Sequence, residues 1–351
     1  MAKRIALDAM GGDRAPEVPV AAAVSALASE DDLELILVGH EPLIQSLLGT
    51  YRLPSDRLRI IDAPDVIAMD EAPLAALRRK RRSSIQVGLE LQAGGRVDAF
   101  VSAGHTGAVM AAALTTLGRI EGIARPAIAA IFPTQKLPCI VLDVGANVDP
   151  RPQHVLEFAM MGHVYAREVL GREKPRVGLL SIGEEPSKGN ELTVESHALL
   201  RQSPLNFIGN VEGRDVLRGA VDIVVTDGFT GNVVLKFGES FVDFLGDALR
   251  EEVRTRPLGR LGAFFMRPAL RALRRKIDYA EYGGAPLLGV DGVVIIAHGG
   301  SNPKAYYNAI GVAHRAADRE FHRRIARAAS EWSGQAVPAD PSGSRISGGS
   351  R

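Results

Sequence analysis

Ten short apolar runs alternate along this chain with stretches whose apolar residues recur every three to four positions. The runs are Ile5–Leu7, Leu33–Val38, Leu58–Ile61, Ala99–Val101, Ala127–Phe132, Cys139–Leu142, Val177–Leu180, Phe207–Ile208, Ile223–Val225 and Val293–Ala297, and most stop at Asp, Gly or Ser. The helical period is clear in Val18–Leu27, Val155–Leu170 and Val233–Leu249. Strands alternating with helices predict an α/β fold, with a mainly parallel sheet covered by helices. Runs that are apolar at consecutive positions predict strands buried on both faces. Ligands of such sheets bind beyond the carboxyl ends of the strands, so chemistry is sought where the apolar runs stop. Residues 1–332 read as a single large α/β domain. Ser333–Arg351, rich in Gly, Ser and Pro, reads as a disordered tail with no role in the fold.

Charge and cysteine content narrow the setting. The 351 residues carry 42 Lys+Arg against 41 Asp+Glu, a net charge of +1, so no whole-chain polycation supports nucleic-acid binding. Cys139 stands alone and reads as a buried small hydrophobe within Cys139–Leu142, in a fold that needs no disulfide. The opening Met1-Ala2-Lys3-Arg4 runs directly into Ile5–Leu7 and Asp8, which predicts no signal peptide. No stretch approaches the ~18 uninterrupted apolar residues of a membrane span, and the expected location is cytoplasmic.

Two segments echo each other at strand ends. Asp98–Val101 leads through Ser102 and Ala103 to Gly104-His105-Thr106-Gly107; Asp222–Val225 leads through Thr226 and Asp227 to Gly228-Phe229-Thr230-Gly231. Each is a strand, a Gly-x-Thr-Gly loop and then a helical pattern. Glycine lets backbone approach a ligand, a helix N-terminus offers N–H donors, and Thr adds a hydroxyl. These loops predict a cradle for phosphate or another oxyanion; they also fit tight βα turns with Thr as a helix cap. Neither a Walker loop nor a G-x-G-x-x-G motif occurs, and no metal-ligand spacing or G-x-S-x-G elbow is present. Hence no metal or cofactor is expected.

Other strand-end loops carry polar residues suited to such a site. In Asp8-Ala9-Met10-Gly11-Gly12-Asp13, Asp8 and Asp13 are placed to orient a substrate, cap a helix or bracket a turn, and Asp8, Gly11 and Gly12 are candidate phosphate-binding residues. Asp143–Asp149 follows another strand, and Lys188 lies in the loop Gly183–Asn190. Asp227 and Asn232 flank the second glycine loop, and Lys236 lies one turn beyond Asn232, on the same side of a helix. Among the histidines, His105 lies inside a glycine loop and His298 ends a strand before Gly299-Gly300-Ser301-Asn302.

The basic residues are unevenly spread. Arg78–Arg82 is a run of five cations, readable as a solvated helix face or as a docking patch for an acidic partner. Val253–Lys276 holds eight cations and no acidic residue, interleaved with Leu258, Leu261, Phe264, Phe265, Met266, Leu270 and Leu273. Pro268 predicts two short helices joined at a corner, with Phe264, Phe265 and Met266 at an apolar tip. A basic amphipathic element of this kind suits an anionic bilayer or a dimer mate.

Taken in order, these loops and Gly209–Gly213, Ile182–Glu185 and Gly284–Gly289 resemble the phosphate acyltransferase family of bacterial phospholipid synthesis (the PlsX type), over roughly residues 3–330. His105 is a departure, since that family normally has Asn in the first glycine loop. The resemblance implies a Rossmann-like α/β/α sandwich similar to phosphotransacetylases and isopropylmalate dehydrogenases. It implies acyl transfer from acyl carrier protein to inorganic phosphate, a homodimer, and peripheral contact with the inner face of the cell membrane. Phosphate then sits between the two glycine loops, with Lys188 as charge partner, Asn232 and backbone N–H groups on the oxyanion, and His298 as proton donor to the leaving thiolate. A phosphotransacetylase-like enzyme using acyl-CoA is the alternative within the same fold group.

Overall fold

The computed structural model describes residues 2–51 and 56–334. The chain runs through β1 (Lys3–Asp8), α1 (Glu17–Ser29), β2 (Leu33–Gly39), α2 (Glu41–Leu48), β3 (Leu58–Asp62), α3 (Pro73–Arg79), α4 (Ser84–Ala93), β4 (Ala99–Ser102) and α5 (Thr106–Thr116). It continues through β5 (Ala127–Phe132), β6 (Cys139–Leu142), α6 (Pro152–Glu168), β7 (Val177–Leu180), α7 (Glu191–Gln202), β8 (Phe207–Val211), α8 (Gly213–Arg218), β9 (Ile223–Val225) and α9 (Gly228–Thr255). It closes with α10 (Pro257–Ile277), β10 (Ala285–Leu288), β11 (Val294–Ile296), α11 (Pro303–Asp318) and α12 (Phe321–Gly334). Of the tail expected over Ser333–Arg351, Ser333 and Gly334 close α12, and the rest lies outside the described residues.

All ten apolar runs are strands, and β10 is an eleventh that the apolar pattern misses. Pro286 argues against a central strand, because it cannot donate to a ladder. The strands form one sheet in the order β3-β2-β1-β4-β11-β10-β5-β6-β9-β7-β8. The β3-β2-β1-β4-β11 wing is parallel throughout, and so is the β6-β9-β7-β8 wing. Between them β10 is antiparallel to both β11 and β5, and β5 is antiparallel to β6, so the two wings point in opposite directions.

That reversal positions the site. The end of β11 pairs with the start of β10 (Ile296 with Ala285), and the end of β10 pairs with the start of β5 (Leu288 with Ala127). The end of β6 pairs near that same point (Leu142 with Ala129). At ~3.3 Å per residue, the four-residue β10 separates the carboxyl ends of the two wings by only about 10 Å. Loops from opposite edges of the sheet therefore reach one place.

Alternating side chains feed two buried layers. Ile5, Leu7, Leu35, Val101 and Ile295 pack under α1, α6 and α11. Ala6, Ile36, Phe100, Val141 and Ile296 pack under α4 and α5 on the other face. Cys139 is buried in β6, and burial pushes its thiol up to about 12, so it acts as an apolar core residue.

The basic amphipathic pair differs from expectation. The corner lies at Arg256, not Pro268: α9 runs unbroken to Thr255 and α10 contains Pro268. Arg256 precedes Pro257 and is extended (φ −115°, ψ 119°), as the ring of a following proline demands. Pro268 removes one N–H inside α10, but the surrounding turns are exposed, which leaves the freed carbonyl accessible to solvent. Only Gly228 and Gly231 of the 28 residues of α9 are buried, and Val234 and Leu235 pack half-buried against the core, so the helix is seated by its first two turns and projects beyond them.

Gly231 makes that seat possible: a Cβ there would lie 1.9 Å from the Asp143 carbonyl oxygen. Gly231→Ala must displace the first turn of α9 or the β6 end. Its unfolding free energy is expected to fall by about 2–4 kcal/mol, read as a lowered urea midpoint at constant m-value. Wild-type stability in that variant would show that α9 is not docked on β6 in this way.

Candidate active site

A cavity of about 390 Å³ lies across the junction of the wings. Its floor is Ile128, Ala130 and Ile131 of β5, with Ile296 of β11 and Ala285 of β10. Thr106, Gly107 and Met110 of α5 bound one side, and Asn232, Leu235, Lys236 and Glu239 of α9 the other. Val144 and Gly145 after β6, Tyr282 and Gly284 before β10, and His298 and Ser301 after β11 complete the wall. The volume lies at the low end of the ~300–1,000 Å³ of small-molecule sites. Polar groups converge over an apolar floor, as an anion adjoining an apolar chain requires.

The first glycine loop is braced from beneath by Asp8, which is buried. Ser102 Oγ donates to Asp8 Oδ2 at 2.6 Å, Met10 N donates to Oδ1 at 3.0 Å, and Gly104 N donates to Ser102 Oγ at 3.0 Å. A Cβ on Gly11 would lie 2.6 Å from both Asp8 Oδ2 and Gly104 N. The buried Tyr306 hydroxyl donates to Gly11 O, and Asp13 N donates to Gly299 O at 2.9 Å. Asp8, Gly11, Gly12 and Gly104 therefore lock three loops together beneath the site rather than lining the cavity. Of the loop itself, Thr106 and Gly107 reach the cavity; they open α5, whose first N–H groups and positive dipole end favour an anion. His105 occupies the N-cap position without a cap bond from its side chain and is not among the lining residues.

The second loop is braced by Asp143 in the same manner. Its carboxylate accepts from the N–H groups of Ile128 (3.0 Å), Gly145 (3.3 Å), Ala146 (3.1 Å) and Asn147 (2.6 Å), and from Asn147 Nδ2 (3.0 Å). Gly228 N donates to Asn147 O at 2.7 Å. The two glycine loops nonetheless differ. Asp227 caps α9, accepting from Thr230 N and from Thr230 Oγ, both at 2.7 Å. The Thr230 hydroxyl is thus committed to its own cap, and Asp227, Gly228, Thr230 and Gly231 do not line the cavity. Of the α9 residues expected at the site, Asn232 and Lys236 do, beside Leu235 and Glu239.

His298 lies on the cavity wall, and its Nδ1 accepts from Gly300 N at 3.1 Å. A neutral ring held in this way carries its proton on Nε2.

Lys188 is exposed in the loop after β7 and is not among the lining residues. It shares the sheet edge of Asp143 and Asp227, because β6, β9 and β7 are adjacent and parallel. Its loop is fixed by Ser181 Oγ donating to Lys188 O (3.0 Å) and by Asn210 Nδ2 donating to Glu185 O (2.8 Å). The run Arg78–Arg82 is not one helix face: α3 ends at Arg79, and Arg79 and Lys80 pair with Glu71, and Arg82 with Asp62, at 2.5–2.7 Å. Leu261, Phe264, Phe265, Met266 and Leu273 are exposed on α10, with Leu270 half-buried; because α10 continues through Pro268, Phe264, Phe265 and Met266 lie mid-helix and not at a tip.

Sequence patterns did not single out Met110, Glu239, Tyr282 or Ser301, nor Asp143 as a brace. For Asp143 a signal was present: like Asp8, it ends an apolar run and is followed closely by glycine. Among the described residues, no group of three or more His, Cys, Asp or Glu side chains is placed to hold a metal ion. Nor is any helix among them long and apolar enough to cross a membrane.

Opposed parallel wings with a cavity at their junction define an α/β/α class that includes the phosphotransacetylases. The phosphotransacetylase of Streptococcus pyogenes matches with a TM-score of 0.62 at 18% identity, covering 90% of this chain and 94% of that one. EutD phosphotransacetylase from Staphylococcus aureus matches at 0.57 and 16%, with coverage of 90% and 94%. At such identities the likeness is one of fold. Sequence goes further. The family described as fatty acid synthesis protein matches residues 3–324. The phosphate acyltransferase of Heliobacterium modesticaldum is 52% identical over 319 residues, 91% of this chain and 95% of that one. That of Myxococcus xanthus is 50% identical over 350 residues, 97% and 98%. The chain belongs to this phosphate acyltransferase family and is an enzyme of the acyltransferase class.

Burial raises the Asp8 carboxyl above its ordinary 3.8, outweighing the hydrogen bonds from Ser102, Ser84, Met10 and Gly11, which lower it. The folded state then holds that proton more tightly than the unfolded one. The associated stability is complete below pH 3.8 and is lost as pH rises through the folded value. Asp8→Asn has no proton to lose. Its unfolding free energy, relative to wild type, is expected to improve between about pH 4 and pH 7 in urea titrations. A difference that stays flat with pH would show that Asp8 ionises normally.

Proposed function

We propose that the protein transfers a fatty acyl group from an acyl carrier protein thioester to inorganic phosphate, releasing acyl phosphate for phospholipid synthesis. The observation that carries this reading is the single cavity shared by Asn232, Lys236, the N-terminus of α5 and His298 above an apolar floor. Phosphate binds at the polar end, held by the α5 N–H groups and the Lys236 charge. The thioester carbonyl is then presented to a phosphate oxygen at ~3–3.5 Å.

Hydrogen phosphate supplies its own nucleophile and its own proton. A phosphate oxygen forms the new bond to the carbonyl carbon. The C–S bond breaks, and the phosphate proton passes to the departing sulfur, giving acyl phosphate and a free thiol. No covalent enzyme intermediate is needed. The residues therefore act on charge: Asn232 Nδ2 and His298 Nε2–H donate to the carbonyl oxygen as it becomes an oxyanion. Gly300 N donating to its Nδ1 leaves His298 Nε2 to make that donation. Lys188 approaches from the Asp143 edge as a second cation for the incoming phosphates.

Peripheral membrane contact and a homodimer fit the projecting helices. Leu258 (84% exposed), beside the α9–α10 corner, and Phe265 (72%), midway along α10, stand exposed among arginines, a composition suited to an anionic bilayer surface. Along α9, Val233, Phe237, Phe241 and Leu245 form an exposed stripe, with Phe237 and Phe241 stacked at 6.2 Å, which a second copy would cover. The cations of α10 would also steer an acidic carrier protein. The phosphotransacetylase fold keeps acyl-CoA as the alternative donor.

Acyl-phosphate formation from carrier-protein thioester, run beside acyl-CoA, discriminates the donors. Asn232→Ala and His298→Ala are each expected to lower kcat about 10²–10³-fold, and Lys188→Ala to act mainly on the KM for phosphate. If Asn232→Ala and Lys188→Ala both stay within about twofold of wild type in kcat/KM, this placement is wrong. Charge insertions separate the other roles. Phe241→Asp is expected to give a monomer by light scattering, and Phe264→Asp with Phe265→Asp to abolish co-flotation with anionic vesicles. Retained flotation in the double variant would sink the membrane role.

A further inference from the structure

A second cavity, of about 270 Å³, lies on the opposite face of the sheet. Its walls include Pro138, Tyr165, Val169, Leu170 and Val312. Tyr165 and Val312 belong to the core layer under α6 and α11, whereas Ile128, Ala130 and Ile296 beneath the first cavity belong to the other layer. Three charged residues, Arg172, Glu281 and Arg315, also line it: Arg172 lies 3.7 Å from Asp222 and donates to Pro138 O at 3.4 Å, and Glu281 pairs with Lys304. Apart from these the lining is aliphatic or aromatic.

Two residues, Ile131 and Tyr282, line both cavities. The sheet is notched where they stand. The register of β10 on β5 sets Leu287 beside Ile128 and Leu288 beside Ala127; continued, it would set Gly284 beside Ile131. Instead the chain turns there through Gly283 and Gly284, with φ of 73° and 88°. A Cβ on Gly283 would lie 2.4 Å from the Asn308 carbonyl group, so α11 fixes this turn. Ile131 is thereby left half-buried on a strand whose other five residues are buried. A residue of a central strand that faces cavities on both sides of the sheet marks a passage through it.

We infer that this passage is an acyl-chain channel. The inference rests on the acyl-transfer reading above and adds a site for the hydrocarbon tail. The reacting carbonyl lies on the Asn232 and His298 side, and the tail threads between Ile131 and Tyr282 into the chamber at Leu170. The aliphatic part of the wall, Ile131, Pro138, Val169, Leu170 and Val312, offers a methylene chain contact without hydrogen-bond demand. Chain-length preference follows from chamber depth. Tyr282 stands at the gate with its hydroxyl donating to Lys276 O at 3.3 Å, at the last turn of α10.

Two measurements on the full-length protein test this. The first compares kcat/KM for palmitoyl and butyryl carrier-protein thioesters. Leu170→Trp fills the far chamber and is expected to lower the palmitoyl-to-butyryl ratio at least tenfold, at about fourfold per methylene denied burial. Leu170→Phe, a smaller fill, should shift the ratio less in the same direction and serves if the Trp variant does not fold. The second measurement is photo-crosslinking with palmitic acid carrying a terminal diazirine, followed by peptide mapping. Label is expected on Tyr165–Leu170 and should be lost in Leu170→Trp. An unchanged ratio in folded variants, or label confined to α9 and α10, overturns the channel. If wild type makes acyl phosphate from neither thioester, the acyl-transfer reading fails instead, and the crosslink still decides whether an acyl tail occupies the chamber.

Discussion

The loops that meet at the cavity are short and rich in glycine, and what gives them one shape is a pair of buried carboxylates at strand ends. Asp8 holds the loop after β4 through Ser102, and Asp143 gathers four backbone N–H groups from the segments around the loop after β9. Removing a carboxylate from water is costly, and burial raises both groups above the ordinary carboxylate range. The return is order: backbone donors that glycine would leave free to wander are fixed, and with them the starts of α5 and α9. A fully satisfied buried network of this kind specifies one arrangement.

The second constraint is directional. A sheet whose strands all ran one way would gather its loops along one edge. Here the wings oppose each other, and the loops meet only because β10 is four residues long. The same shortness leaves Ile131 without a strand neighbour on one side. One truncated strand thus both brings the polar residues together and opens the sheet beside them.

Ten of the strands were legible because each is buried on both faces and so reads as a continuous apolar run. β10 was not, since Pro286 interrupts it and argues against a central strand. The echo of the two glycine loops was real in sequence but misleading in detail. Asp227, one residue before the second loop, caps α9 and takes the Thr230 hydroxyl, whereas α5 begins after His105 and leaves Thr106 toward the cavity. Similar letters began their helices two residues apart. Pro268 breaks the apolar pattern and so reads as the corner between the long helices, yet the corner is made by Pro257 through the residue before it. The cavity wall drew on Tyr282, Met110 and Glu239, whose roles depend on which loops face one another, and local spacing carries no such information.

Helix α9 holds Asn232 four residues from its seated end and the apolar corner at its other end. At 1.5 Å per residue these points lie about 6 Å and 40 Å from the seat. One continuous helix thus carries both a wall of the cavity and the exposed corner, with about 34 Å between them along its axis. A body bound at the corner would be held at about that distance from the cavity.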